Sequence, residues 1–450
     1  MRKGGNYCDL FFENSSIWTI SLKDSKVSSG GFHRDYGCGI RVLCGERTGY
    51  AYSESTDYES LCKAADAAGA IALCSSLKDK PIQIEADCPR NKGFYPMQQD
   101  LRLAQSSRFV ELLQKLDSSL RRRESRIVKL MATASYSLSE IYMYNSLGQS
   151  AEDLRPLCSL NLSAIIEQNG QRQVRTASKS LRQGLEFFDD ALILELSDTI
   201  CRNIDRGFEA GRPAGGQMNV VMAAGASGIL LHEAMGHAFE ADFNRKGQSI
   251  FCDKMGQQIC RKGINIVDDA TIPFLRGSCN WDDELTPGQK TYMVQDGVLT
   301  SYLHDRISAS CYGLASTGNG RRECFRNFPI PRMRTTYMES AEKGSLEDLI
   351  HLAGNGIYVD EFSNGEVQIE TGDFTFYVRG GYLIENGRLT RPIKDLNIIG
   401  NGPKALAGIE AVASDLVIDT GRWTCGKGQS VPVSCGTPSL LINNLTVGGQ

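Results

Sequence analysis

The chain has 450 residues, 41% hydrophobic and 23% charged, with a formal net charge of −4. That is a globular composition long enough for two domains, and its mild acidity argues against direct nucleic-acid binding, which needs a basic face. Met1-Arg2-Lys3-Gly4-Gly5-Asn6 has no apolar leader region and no run approaches the roughly 18 apolar residues of a membrane helix; the 15 scattered cysteines fit reduced thiols in the cytoplasm better than a disulfide framework.

In chain order, Cys8-Asp9-Leu10-Phe11-Phe12-Glu13 and Ser16-Ile17-Trp18-Thr19-Ile20 suit the two arms of a hairpin. Gly39-Ile40-Arg41-Val42-Leu43 and Thr48-Gly49-Tyr50-Ala51-Tyr52 flank a second turn at Gly45. Leu61, Ala64, Ala65 and Ala68 recur at helical spacing and predict a helix over 57–72. Leu101, Leu103, Phe109, Leu112, Leu113 and Leu116 predict another over 100–122. Arg121-Arg122-Arg123 at its end reads as solvated surface complementing the helix dipole. From 126 to 177 the pattern is strand and turn, with Asn169-Gly170 as a hairpin signal. A third helix is expected over 187–209, and Gly211-Arg212-Pro213-Ala214-Gly215-Gly216 then breaks the chain. A strand over 218–223 leads through small residues into a helix. Beyond it Asp296-Gly297, Asn364-Gly365 and Asn386-Gly387 each sit between apolar segments as turn signals, Asp373-Phe374-Thr375-Phe376-Tyr377-Val378 is a β run, and a short helix is expected over 402–413. The fold class is α+β: a mixed α/β N-terminal domain, 1–210, with subregions 1–95 and 96–210, then a largely antiparallel, β-rich C-terminal domain, 211–450.

The helix after that break carries His232-Glu233-Ala234-Met235-Gly236-His237, directly behind Gly228-Ile229-Leu230-Leu231. Neutral imidazole is a common zinc ligand, and a neighbouring carboxylate can take a proton from water. The plainer alternative is a buried helix with two satisfied core histidines, but the chain has only 5 His and two of them flank this Glu. The spacing is HExxxH, one residue longer than the metalloprotease HExxH. On a regular helix positions five apart diverge by roughly 140°, too far for both rings to share an ion. The helix is therefore expected to be irregular between Ala234 and His237, through a π-bulge or an end eased by Gly236. A hydrolytic zinc needs a third protein ligand. His304, His351 and Cys425 are the candidates, with Cys425 set in the Gly-rich Thr424-Cys425-Gly426-Lys427-Gly428, where Lys427 would help stabilise a thiolate. An ordinary loop cysteine is an equal reading of it.

Gly225 to His237, Glu240-Ala241-Asp242-Phe243-Asn244, Ser316-Thr317-Gly318-Asn319-Gly320-Arg321-Arg322-Glu323, Pro329-Ile330-Pro331-Arg332-Met333, Cys425-Gly426-Lys427 and Leu445-Thr446-Val447-Gly448-Gly449 together resemble the TldD family, the zinc peptidase half of the TldD–TldE (PmbA) system. The resemblance spans nearly the whole chain and is densest after residue 210. It implies one zinc per chain held by His232, His237 and Cys425, with Glu233 as general base. It also implies peptide hydrolysis and pairing with a TldE/PmbA-like subunit, or a homodimer. The complete motif is that of the catalytic member. The family pattern has a leading helical segment ahead of the strand at Cys8-Asp9-Leu10-Phe11, where this sequence has almost nothing.

The expected activity is thus that of a cytoplasmic zinc metalloprotease acting on small or unfolded peptides, with no membrane and no direct nucleic-acid partner. The alternative, from the family's other designation, is a regulatory protein that modulates DNA gyrase or a toxin–antitoxin system without turnover. Arg321, Arg322, Arg326, Arg332 and Arg334 form an Arg-rich run. Ordinary salt bridging is the plainer reading for any one of them. Asn319 and Arg322, inside the Gly-flanked motif, are the candidate substrate contacts.

Overall fold

The computed structural model describes residues 5–72, 93–225 and 227–449. Six strands, β1 (Tyr7–Lys23), β2 (Lys26–Cys44), β3 (Arg47–Ser53), β4 (Ile127–Asn145), β5 (Ser150–Gln168) and β6 (Gln171–Leu181), form an antiparallel sheet in the order β3-β2-β1-β4-β5-β6. The hairpin expected over 8–20 is instead one strand. Asn14-Ser15-Ser16 stays extended because it pairs on both sides, Ser15 with Asp35 and with Ser139. The chain turns only at Asp24-Ser25, both at positive φ (47° and 67°), as a two-residue hairpin of matching twist requires. The turns at Gly45 and at Asn169-Gly170 fall where expected.

Helices α1 (Tyr58–Ile71), α2 (Ser106–Arg123), α3 (Asp190–Cys201) and α4 (Ile204–Glu209) accompany the sheet. Asp57 caps α1 by accepting from the Ser60 amide. The helix expected over 187–209 is split, because Asn203 takes a left-handed φ of 58° between α3 and α4. Phe109, Leu113 and Leu116 of α2 and Leu192 and Leu196 of α3 bury against Ile20, Leu22, Leu130 and Leu160, each worth roughly 1.5–3 kcal/mol when fully buried. Alternation along the strands selects these residues for one face of the sheet.

In the second half, the strands Gly356–Val367, β7 (Gly216–Met222), Leu440–Gly449, Leu396–Asn401 and Asp373–Glu385 pair in that order, and the last pairs back to the first, closing a ring. Only the β7 pairing with Gly356–Val367 is parallel within it. Asp296-Gly297 and Asn386-Gly387 turn as expected. Asn364-Gly365 does not: it lies inside Gly356–Val367, opposite Phe376. A Cβ on Gly365 would fall 2.2 Å from the Phe376 ring, so this glycine makes room for an aromatic across the strand. The helix expected over 402–413 is only Gly402–Ala407, followed by the strand Ile409–Val412. A second sheet contains Ile266–Asp269, Thr335–Met338 and Ser434–Thr437. The segment 228–239 packs against both sheets, so the histidine motif sits in the main apolar core of this half.

A buried charge network joins the halves. Arg41 meets Asp9 at 2.5 Å and Glu284 at 2.6 Å. Arg155 meets Asp153 at 2.8 Å and Asp283 at 2.6 Å, and Arg322 meets Asp9 at 3.3 Å. No helix among the described residues is long and apolar enough to cross a membrane.

Candidate metal centre

The motif helix begins at Gly228, where the backbone lies so close to the strand Ser434–Thr437 that a Cβ would sit 2.4 Å from the Gly436 nitrogen. It runs as α-helix over Gly228–Leu231, widens to a π turn over His232–Gly236, and tightens to a 3₁₀ turn over His237–Phe239. The His237 amide bonds to the His232 carbonyl five residues back. That wider turn returns position five to the same side, and the two imidazoles end with centroids 5.1 Å apart at 81°. The irregularity demanded by the HExxxH spacing is present. Gly236 contributes differently from expectation: its φ of −57° is ordinary right-handed helix. Its missing Cβ admits Met333, whose Sδ would otherwise lie 2.1 Å away.

Cys425 arrives on the hairpin Thr424–Gly426/Ser430–Pro432, which Gly428 closes at φ +65°. Arg332 fastens that hairpin from within the core, donating to the Cys425 carbonyl at 2.6 Å and the Gln429 carbonyl at 2.8 Å. Cys425 Sγ is 3.2 Å from His237 Nε2. The ligand atoms of His232, His237 and Cys425 all lie within 4.8 Å of one another, all three residues are buried, and no other such group of His, Cys, Asp and Glu occurs among the described residues.

The electrostatics follow from this convergence. Burial pushes the Cys425 thiol up, but the charges and hydrogen bonds of His232 and His237 outweigh it and bring the group down to about 4. Burial acts against a charged His237, yet Glu240 and Cys425 raise it well above the ordinary histidine range. Glu240 is the pivot. Its carboxylate lies 3.0 Å from His237 Nδ1, 3.0 Å from Lys427 Nζ and 3.8 Å from Arg332 Nε. Despite complete burial these cations hold it at about 2. Lys427 also reaches Asp242 at 2.6 Å. It therefore supports the carboxylates behind His237, and the two imidazoles, rather than Lys427, stabilise the thiolate. Sequence reasoning gave Glu240 no role; an acid three residues after the second motif histidine was the available signal.

Glu233 is half-buried on the π turn and outside the ligand trio. Burial raises its carboxyl above the usual range, against the pull of His232 and His237. His232 Nδ1 is buried without a hydrogen-bond partner, an arrangement natural for a ring awaiting a cation and costly otherwise. Two imidazoles and a thiolate form a donor set that suits zinc and leaves a fourth position open.

The other candidates lie elsewhere. His351 is exposed on the helix Leu346–Ala353, and His304 is buried with Nδ1 3.3 Å from Ser308 Oγ. Asn319 is buried, donating to Asp268 at 2.7 Å and to the Arg332 carbonyl at 2.9 Å. Arg322 is likewise buried, held by Asp9 and by the Asp283 carbonyl at 3.0 Å. Both brace the interior behind the centre, and neither is brought to the trio. Arg321, Arg332 and Arg334 donate to backbone carbonyls, while Arg326 pairs with Asp35 and Glu54. Ion pairing thus describes only part of that run.

Three family models match the chain: PmbA/TldA metallopeptidase domain 1 over residues 8–72, the central domain over 100–206 and the C-terminal domain over 215–449. The "Metalloprotease TldD homolog" of Haemophilus influenzae is 36% identical over 454 residues, spanning 99% of this chain and 93% of that protein. The "Zinc metalloprotease TldD homolog" of Saccharolobus solfataricus is 31% identical over 265 residues, 58% of either chain. The crystal structure of TldE from Thermococcus kodakarensis superposes with a TM-score of 0.77 at 18% identity, covering 99% of this chain and 97% of that one, which is a likeness of fold.

Proposed function

This chain belongs to the PmbA/TldD metallopeptidase family, and from that premise we propose that it is a zinc-dependent peptidase cleaving small or unfolded peptides. The observation that carries the reading is the convergence of His232, His237 and Cys425 with an acid, Glu233, beside them but outside the ligand group. His232, His237 and Cys425 would hold one zinc per chain. Bound there, zinc supplies Lewis acidity towards a water and the scissile carbonyl. Glu233 takes the proton of the attacking water and returns it to the leaving amine, a role its raised pKa suits. Glu240 fixes the His237 ring by engaging Nδ1, so that Nε2 faces the ligand point. The thiolate makes this a softer, more negative ligand set than three histidines.

Zinc-loaded protein is expected to cleave short peptides or casein, and Glu233→Ala to lose about 10²–10⁴-fold of that activity with fold and metal content kept. Full activity in the variant would assign the proton transfer elsewhere, and lost zinc would make Glu233 a ligand. If the zinc-loaded wild type cleaves nothing, the gyrase or toxin–antitoxin regulator without turnover is the better reading.

The complete motif marks the chain as the catalytic TldD-type subunit, and we assign it a dimeric assembly with a TldE-like homologue. An enclosed cavity between subunits would keep an open metal cleft away from folded proteins. Light scattering alone and with that partner checks this; a stable monomer with full activity and no response to the partner overturns it.

A further inference from the structure

A cleft of about 600 Å³ opens between β6 of the N-terminal sheet and the strands and loop that flank the metal centre. Ala223 and Ala224 on its wall lead into the motif helix at Gly228, and Trp423 on the same wall is two residues from Cys425. The cleft is thus walled by residues that neighbour, along the chain, both segments carrying the ligand trio.

The charges lining it are unevenly matched. Asp360 is taken by Arg206 at 2.5 Å, and Glu361 by Arg175 at 2.7 Å and Arg206 at 2.6 Å. Asp419 accepts from the Gly421 amide at 2.5 Å, and its burial favours the neutral form. Each cleft carboxylate thus has a partner inside the protein. Arg379 and Arg422 are exposed in the cleft and have no carboxylate partner among the described residues. Both are anchored to β6: Arg379 Nη1 donates to Thr176 Oγ1 at 3.2 Å, and the Arg422 amide donates to Ser178 Oγ at 3.1 Å. Thr176 and Ser178 are two residues apart and on one face of the strand, about 7 Å from each other. Arg379 through its side chain and Arg422 through its backbone thus meet neighbouring positions of one strand, and both residues line the same cleft. Guanidinium is the side chain best matched to a carboxylate, through paired N–H donors.

We propose that Arg379 and Arg422 form a subsite for a substrate carboxylate, placing a carboxylate-bearing peptide next to the metal centre. The proposal rests on the peptidase reading for the identity of the ligand as a peptide. The carboxylate is either the peptide's C-terminus or an acidic side chain, since the two share the same recognition chemistry.

The test uses zinc-loaded full-length Glu233→Ala protein, so that binding is read without cleavage. One dansyl-labelled octapeptide of Ala, Ser and Leu is made in four versions: C-terminal acid or amide, each with Glu or Gln at one internal position. The carboxylate-bearing versions are expected to bind about tenfold more tightly than the amide–Gln version. Arg379→Gln with Arg422→Gln should remove that advantage while leaving the amide–Gln affinity unchanged, which also reports an intact fold. Should the pair of changes disturb folding, Arg422→Glu alone is expected to move the preference towards a Lys-bearing peptide. Loss of the advantage on amidation alone identifies the terminus, and loss on Glu-to-Gln exchange alone identifies a side chain; either supports the subsite. Equal binding of all four peptides by the parent, or an advantage that survives the double change, overturns it. Failure of the peptidase reading would appear separately, as absence of cleavage by zinc-loaded wild type, which these affinities do not register.

Discussion

Around Cys425 the buried polar groups point at one another and leave a ring nitrogen of His232 over, whereas around Arg41 each charge faces an opposite one. Arg41 lies between Asp9 and Glu284, and Arg155 between Asp153 and Asp283. Both regions are largely buried, so burial does not distinguish a site from a scaffold. Convergence does. Lone pairs from two imidazoles and a thiolate meet at a point that lacks a cation of its own, because the nearby Lys427 and Arg332 are engaged behind it by Glu240. At the junction between the halves the signs alternate, and the network neutralises itself. Alternation fixes a geometry, while convergence creates a demand for a ligand.

The sharpest way to break this contrast is to remove one member from each region. Arg41→Ala leaves Asp9 and Glu284 buried without their cation, and is expected to lower stability by about 3–5 kcal/mol. Urea unfolding measures this, and the folded fraction should retain its metal. A loss below about 1 kcal/mol would deny the junction its structural role.

Glu240→Gln keeps the shape of the support behind His237 but removes its charge. The expectation is a fold that survives with metal affinity reduced about 10–100-fold, read by competition with a chelator. Unchanged affinity would show that Glu240 does not set the His237 ring. The effect is smaller than at Arg41 because Lys427 keeps Asp242 as a partner.

These two regions also explain what the sequence could and could not reveal. The motif histidines lie within one helix, and their five-residue spacing demanded an irregular helix if both rings share an ion, a π turn or a helix end, of which the π turn at His232–Gly236 is present. Hairpins at Gly45, Asn169-Gly170, Asp296-Gly297 and Asn386-Gly387 were equally legible, since positive φ is local chemistry. Cys425, 188 positions from His237, was on its Gly-rich setting no better than an even candidate, and the family resemblance decided for it. The junction network was invisible: Arg155 and Asp283 are 128 positions apart, and Arg322 and Asp9 are 313 apart. No periodicity connects such residues. For the same reason Arg322 and Asn319 read as substrate contacts in sequence, although both brace the interior. Asn364-Gly365 misled in the opposite direction, because the demand on Gly365 comes from Phe376 across the strand and not from a turn.

His232, His237 and Cys425 are proposed as the ligands of a single catalytic zinc. The test is metal content by plasma emission on purified protein, wild type against a His237→Ala, Cys425→Ala double variant. One zinc per wild-type chain is expected once the protein is metal-loaded, with its loss in the folded double variant. Full zinc occupancy retained by that variant would contradict the assignment.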